Sequence, residues 1–195
     1  MTQGPVIDTP RLLMRRWCSA DRKPFAAMNA DPVVMEYFPA TQTRAASDAA
    51  IDRFERGFER DGFGLWALQR RDTGAFIGFT GLKRVEFTAA FTPAVEVGWR
   101  LYSQAWGQGY ASEAARAAVR FGFTSAGLDE IVSLTAVTNE RSRRVMRRLG
   151  MTHDPADDFR HPSIEPDHPL APHVLYRLSR SRWRESLVAS PPAAP

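Results

Sequence analysis

The stretch from Val95 to Phe123, VEVGWRLYSQAWGQGYASEAARAAVRFGF, leaves the chain few folds to choose from. Its first part alternates, with Val95, Val97, Trp99 and Leu101 on one face and Glu96, Gly98, Arg100 and Tyr102 on the other. That period of two predicts a strand. Its last part is rich in alanine and repeats Ala114, Ala117, Ala118 and Phe121 at helical spacing, which predicts a helix. Between them Gln104-Ala105-Trp106-Gly107-Gln108-Gly109 forms a turn with two glycines. A strand that runs through such a turn into a helix start directs several backbone N–H groups at one point, where the helix dipole adds partial positive charge. A point of this kind binds phosphate.

Three phosphate-binding patterns compete for the turn. A nucleotide P-loop needs GxxxxGK[ST], and no lysine follows these glycines. A dinucleotide fingerprint needs GxGxxG and an acid ending the next strand. The matching positions are Gly107, Gly109 and Ser112, and the next strand, 130–137, ends in Val137-Thr138 without an acid. The third pattern, [QR]xxGx[GA], is filled by Gln104, Gly107 and Gly109 and cradles the pyrophosphate of coenzyme A. An ordinary glycine-rich turn is the bland alternative, and the order strand, turn, helix argues against it.

With these motifs in view the chain resembles the GNAT superfamily of N-acetyltransferases, in the branch of the ribosomal-protein N-terminal acetyltransferases (RimJ/RimL-like). The resemblance rests on Glu96-Val97-Gly98-Trp99, on Gln104 through Ala111, and on Glu113-Ala114. A second block is Asn139-Glu140-Arg141-Ser142 with Leu149-Gly150-Met151, and a weaker one is Thr9-Pro10-Arg11-Leu12. The similarity runs from about Pro10 to Trp183, most of the chain. The resemblance implies an α+β fold: a central mixed sheet of about 6–7 strands, splayed open between two parallel strands, with helices on both faces. It implies acetyl-coenzyme A in the splay and direct attack by a primary amine, a protein N-terminus or a small molecule, in a ternary complex. The cofactor-binding set comprises Trp99 and Leu101 on the strand, then Gln104, Trp106, Gly107, Gln108, Gly109, Tyr110 and Ala111 at the turn, with Asn139 and Ser142 on the later helix.

Acetyl transfer to an amine needs a base for the amine proton and stabilisation of the leaving thiolate. The catalytic candidates are Glu96, on the cofactor strand, and Ser142, which the resemblance turns toward the sulfur. The rival reading of Glu96 is a structural carboxylate paired with an arginine. Many family members carry a tyrosine general acid four residues beyond Ser142; here that position is Met146. Tyr176 is a weaker rival, better suited to packing. Arg141, Arg143, Arg144, Arg147 and Arg148 crowd one short helix, so at most one or two can reach coenzyme A phosphates. His161, His168 and His173 lie in or beside a proline-rich loop without a cysteine pair, and no metal site is expected. One of these histidines, or Asp157 or Asp158, is a candidate to touch the acceptor.

The chain of 195 residues suits one domain: a loose lead-in over 1–9, the catalytic domain over 10–184 and a disordered tail over 185–195. It is 44% hydrophobic and 25% charged, as a soluble globular domain is. No apolar run suits a membrane span and no signal-peptide pattern opens the sequence, so a cytoplasmic address without membrane contact is expected. The net charge of +4 suits an anionic cofactor better than it argues for nucleic acid, and a homodimer is among the assemblies allowed. Cys18 is the only cysteine and reads as a half-buried thiol beside Trp17. Two alternatives stay open: a non-catalytic acyl-coenzyme A binding module on the same fold, and a nucleotide-dependent oxidoreductase.

Overall fold

The computed structural model describes residues 5–189. In chain order it contains β1 (Ile7–Asp8), β2 (Leu12–Arg15), α1 (Arg22–Ala30), α2 (Arg44–Asp61), β3 (Leu65–Arg70), β4 (Phe76–Arg84), β5 (Val95–Leu101) and α3 (Tyr110–Thr124). There follow β6 (Glu130–Ala136), α4 (Glu140–Arg148), β7 (Thr152–His153), β8 (Phe159–Arg160), β9 (Pro172–Ser179) and α5 (Arg180–Ala189). The strands form one sheet in the order β1-β2-β3-β4-β5-β6-β9-β7, with β8 also pairing β9.

Every pair of neighbours is antiparallel except β5 and β6. The helix α3 makes the crossover between those two parallel strands, as the chain order requires. Each is held along its length by its outer partner: β5 pairs β4 from Val95 to Leu101, and β6 pairs β9 from Glu130 to Ala136. Between them only Glu96 and Val132 are in register, joined by the Ser133 hydroxyl, which donates to the Val97 carbonyl at 2.9 Å. Beyond that point the strands part. The sheet is therefore mixed and splayed, and the β5 edge from Gly98 to Leu101 opens into a cleft.

Both faces of the sheet are covered. Strand β3 shows this most directly: Leu65, Trp66, Ala67 and Leu68 are all buried. Trp66 and Leu68 join a core with Val97, Ala114, Ala118 and Met146, beneath α3 and α4. Leu65 and Ala67 join a second core with Trp17, Phe25, Met28 and Ile51, beneath α1 and α2. Full burial of side chains of this size stabilises by about 1.5–3 kcal/mol each. The helix α2 starts where expected, with the Thr43 hydroxyl accepting from the Ala46 N–H at 3.2 Å, and ends at Gly62 in the left-handed conformation.

Several expectations need correction. Nine strands form instead of six or seven, because β1, β7 and β8 are two-residue pieces without a periodic signal of their own. Residues 7 and 8 of the expected loose lead-in are β1, paired with Met14 and Leu13. Residues 185–189 of the expected disordered tail belong to α5; residues 190–195 lie outside the described residues. That helix docks through Trp183, 5.1 Å from the Phe123 ring, and through Arg180 and Arg182, which donate to the Leu128 and Gly150 carbonyls; one apolar anchor gives no helical periodicity to read. Apart from these expectations, the Asp21 side chain stands just before α1 without capping it. Its carboxylate accepts from Arg15 and from the Cys18 N–H, because a 3-10 turn over Ser19–Asp21 precedes the helix. The same turn leaves Cys18 exposed rather than half-buried.

Candidate active site

The cleft between the parted strands has a volume of about 980 Å³. Every residue of the expected set but one lines it: Glu96, Trp99, Leu101, Trp106, Gly107, Gln108, Gly109, Tyr110, Ala111, Asn139 and Ser142. The exception is Gln104, which lines a separate shallow pocket with Arg70 and Tyr102. Its backbone carbonyl accepts from the Gln108 side chain at 2.9 Å, so the glutamine holds the turn together from behind.

The turn itself is a backbone device. Gly107 and Gly109 have φ of 74° and 82°, a region costing an L-residue roughly 1–2 kcal/mol. A side chain at Gly107 would meet no protein atom, and one at Gly109 would meet only the Arg11 guanidinium at 3.4 Å. Backbone conformation thus requires the glycines more than crowding does. Among the described residues the N–H groups of 107–112 make no hydrogen bond to a backbone or side-chain acceptor. Beside them the Ser112 hydroxyl, 5% exposed, also lacks a partner and lines the cleft. Ser112 was legible only as a failed third glycine; the fold places its hydroxyl at the same helix start as the free N–H groups.

The weak block at the N-terminus staples this turn. Glu113 accepts from the Thr9 hydroxyl at 2.7 Å, the Arg11 N–H at 2.9 Å and the Arg11 side chain at 2.6 Å. Arg11 also donates to the Gln108 carbonyl at 2.8 Å and lies 4.5 Å from the Tyr110 ring centroid. Burial pushes the Glu113 carboxyl up, but Thr9 and Arg11 outweigh it and hold it below the usual carboxylate range.

Across the splay, the Trp99 indole donates to the Ser142 hydroxyl at 3.2 Å. Ser142 therefore accepts from the protein and keeps its own proton to donate. Asn139 caps α4, accepting from the Ser142 N–H at 3.1 Å and donating to Thr135 at 2.9 Å. Met146 is buried and lines the cleft. Tyr176 is 3% exposed and stacks on His153 at 5.1 Å, away from the cleft wall.

Glu96 is 8% exposed and paired, but with Lys83 at 3.1 Å rather than with an arginine. His161 and His173 also line the cleft, their rings 5.0 Å apart. His173 lies close enough to Glu96 to feel its charge, although burial dominates and depresses its pKa. Burial, with His173 and Lys83 nearby, pushes His161 down to about 4. Both rings are thus neutral near pH 7. Phe87 packs on His161 at 4.7 Å and Phe159 on His173 at 5.7 Å, which ties the 155–172 loop to the chain after β4. His168, Asp154, Asp157 and Asp158 are elsewhere: Asp157 binds Arg177, Asp158 binds His153, and Asp154 caps a 3-10 turn.

The α4 arginines divide as their number demanded. Arg141 pairs with Glu36 and covers Trp106 at 4.5 Å. Arg143 and Arg147 pair with Glu140. Arg144 and Arg148 line the cleft with no acid within 4.0 Å among the described residues.

Comparison with known proteins agrees with this geometry. Residues 11–152 match the model of the acetyltransferase (GNAT) domain. The uncharacterized protein YkkB of Bacillus subtilis is 30% identical over 146 residues, 73% of this chain and 83% of that protein. FsC-acetyl coenzyme A-N(2)-transacetylase of Aspergillus fumigatus is 35% identical over 130 residues, 63% of this chain and 52% of the fungal protein. The crystal structure of the acetyltransferase from Agrobacterium tumefaciens superposes with a TM-score of 0.72 at 26% identity, covering 89% of this chain and 94% of that one. The chain belongs to the GNAT acetyltransferase family. It is thus an acyltransferase, of a family that uses acetyl-coenzyme A.

Proposed function

We propose that the protein transfers the acetyl group of acetyl-coenzyme A to a primary amine, with the two substrates meeting in the splay between β5 and β6. The row of unpartnered N–H groups at 107–112, facing a cleft that the parted strands open, carries this reading. That row suits the pyrophosphate, with the Ser112 hydroxyl beside it and Arg144 and Arg148 as cations for further phosphate. The free edge of β5 suits the amides of the pantetheine arm, as a strand edge suits an added strand. Trp99, Leu101 and Asn139 wall that arm.

In the reaction a neutral amine attacks the thioester carbonyl, a C–N bond forms and the C–S bond breaks. Glu96 takes the amine proton through a water, and Lys83, 3.1 Å away, holds the carboxylate in place until then. Ser142, held by Trp99, donates its hydrogen bond to the leaving sulfur, a role that Met146 cannot fill. The sulfur leaves as the thiolate and takes one proton from solvent, Glu96 returns the amine's proton to solvent, and coenzyme A departs as the thiol. The acceptor is a protein N-terminus, as for the ribosomal-protein acetyltransferases the motifs resemble, or a small amine.

The test has two parts. Acetyl-coenzyme A at a hundredfold excess over its dissociation constant should stabilise the protein by about 2.7 kcal/mol, with NADH and ATP far behind. A screen of peptides, polyamines, amino acids and aminoglycosides, read by thiol release, should then find an acceptor. A larger melting shift with NADH would overturn the cofactor assignment. Binding of acetyl-coenzyme A without turnover of any amine would favour a non-catalytic acyl-coenzyme A module.

A further inference from the structure

Arg100 sits near the C-terminal end of β5, at an even position of the strand like Glu96 and so on the same face. It lines the cleft together with Val33, Val34 and Phe38. Its guanidinium stands 4.0 Å from the Phe38 ring centroid and 5.5 Å from that of Phe79. One nitrogen donates to the Asn29 carbonyl oxygen at 2.7 Å. Asn29, itself fully buried, is fixed in turn by donating to the Ser47 hydroxyl at 3.1 Å, and Ser47 donates to the Thr43 carbonyl at 3.0 Å. A buried polar chain therefore aims this guanidinium.

What the chain does not supply is a counter-charge. Among the described residues no carboxylate lies within 4.0 Å of Arg100, while the cleft's Lys83 and Arg141 each have one. Among the described residues the Arg100 Nε, inside the packing, has no acceptor, which leaves the outer edge of the guanidinium for an anion from the cleft. Burial lowers its pKa to about 10, so the group remains charged at neutral pH. Leaving a desolvated charge unpaired is expensive for a fold, and a ligand anion removes that expense.

We infer that Arg100 is the anion-recognition residue of the acceptor half of the cleft, and that the acceptor is an amine that also carries a carboxylate. The inference rests on the acetyltransferase reading for the role of the amine, but not for the anion site itself. The apolar neighbours Val33, Val34 and Phe38 suit the carbon skeleton between the two groups. Four residues of strand separate Arg100 from Glu96, about 13 Å between Cα atoms, so the side chains must converge on an acceptor of limited length.

The experiment compares amino carboxylates of increasing chain length with their primary amides, in the full-length protein. Two readouts serve: thiol release from acetyl-coenzyme A, and the melting shift given by the acceptor alone. At the preferred length the carboxylate should show kcat/KM at least tenfold above its amide, with the difference in KM. Arg100→Gln should bring that ratio close to one while the melting shift with coenzyme A stays at the wild-type value; Arg100→Lys should retain part of the preference. Equal use of acid and amide by the wild type, or an undiminished preference in Arg100→Gln, would overturn the inference. If no amine turns over but carboxylates still stabilise the wild type and not Arg100→Gln, the anion site stands and the transferase reading falls. Should Arg100→Gln fail to fold, the wild-type pair and Arg100→Lys decide.

Discussion

The two halves of the cleft are built on different principles. In the proposed reading the cofactor half is laid out on backbone, one turn, one helix start and the open edge of one strand running contiguously from Gly98 to Ser112, with side chains of α4 added across the cleft. The acceptor half is side chains brought from afar: Val33, Phe38, Lys83, Glu96, Arg100, His161 and His173. Backbone recognition needs only a local conformation, which glycines at 107 and 109 secure. Side-chain recognition needs the whole fold to bring its parts together, and can change without disturbing the cofactor half. If this contrast is right, mutations in the two halves should separate cleanly into catalysis and acceptor selection on one side and cofactor affinity on the other.

The largest effect is expected at the junction. Glu96→Gln keeps shape and removes the charge, so kcat should fall by about 10² to 10⁴ with little change in acetyl-coenzyme A binding. Raising the pH should recover part of the loss, because the amine then deprotonates without help. Ser142→Ala should also lower kcat, but high pH should not recover it, since its loss concerns the leaving sulfur. Wild-type kcat in Glu96→Gln across the pH range would move the base to the neutral pair His161 and His173, the remaining proton acceptors on that wall.

Next in size is the turn. Gly109→Val places a branched side chain at φ of 82° and against Arg11. It should raise the acetyl-coenzyme A dissociation constant at least about tenfold, or 1.4 kcal/mol, while circular dichroism stays native. Gly107→Ala should act through strain alone, since nothing in the protein crowds that position. Unchanged affinity in a folded Gly109→Val protein would remove the turn from the site and, with it, the contrast between the halves.

The same contrast explains what the sequence made legible. The strand, turn and helix at 95–124 could be read because alternation, glycine and helical spacing are local signals, and the residues named on them, Gln104 excepted, line one cleft. Asn139 was legible as a cap for the same reason. Gln104 was misplaced because a motif states which residue is needed and not which way it faces. Arg100 was visible only as an outward position on a strand; its isolation from acids depends on Asn29 and Phe38, 71 and 62 positions away in sequence. Lys83 as the partner of Glu96 follows from their register across β4 and β5, which pattern alone does not fix. His161 and His173 were noticed, but their meeting depends on how the 155–172 loop folds back. The helix α5 and the strands β1, β7 and β8 owe their form to docking, and docking leaves no period.

A smaller effect is expected from the staple between the N-terminal block and the turn. Glu113→Ala removes three hydrogen bonds to a charged acceptor, but Arg11 is half-exposed, which discounts the pair to about 1 kcal/mol. The start of α3 loses its tie to the chain before β2 while Arg11 keeps its bond to the Gln108 carbonyl, and acetyl-coenzyme A affinity should fall by about threefold without a change in acceptor preference. Isothermal titration with coenzyme A and the acid-to-amide ratio of acceptors would measure the two independently. A shift in acceptor preference would show that the halves are coupled through the turn.

The smallest effect concerns pH and sets the two halves against each other in one measurement. His161 is held neutral in the folded protein, its pKa pushed down to about 4 by burial and then by His173 and Lys83. In the unfolded chain it returns to about 6.5. The unfolded state thus binds more protons between those values, and stability rises with pH across the interval. It is fully present above about 6.5 and is lost as the pH falls toward 4. Glu113 has a depressed pKa, so its contribution is present above the ordinary carboxylate value and is lost only as the pH falls through the lower, folded value. The acceptor half should therefore weaken first on acidification, and the cofactor half later. Because His161 is partly exposed, its share is on the order of 1 kcal/mol, or about 2–4 °C in Tm for a chain of this size. His161→Phe, which keeps the aromatic contact with Phe87, should flatten the fall in Tm between pH 6.5 and 5 and leave the fall below pH 4.5 unchanged. If His161→Phe and wild type lose Tm in parallel from pH 6.5 to 5, the ring is already charged in the folded protein, and the acceptor wall is more open to water than its packing implies.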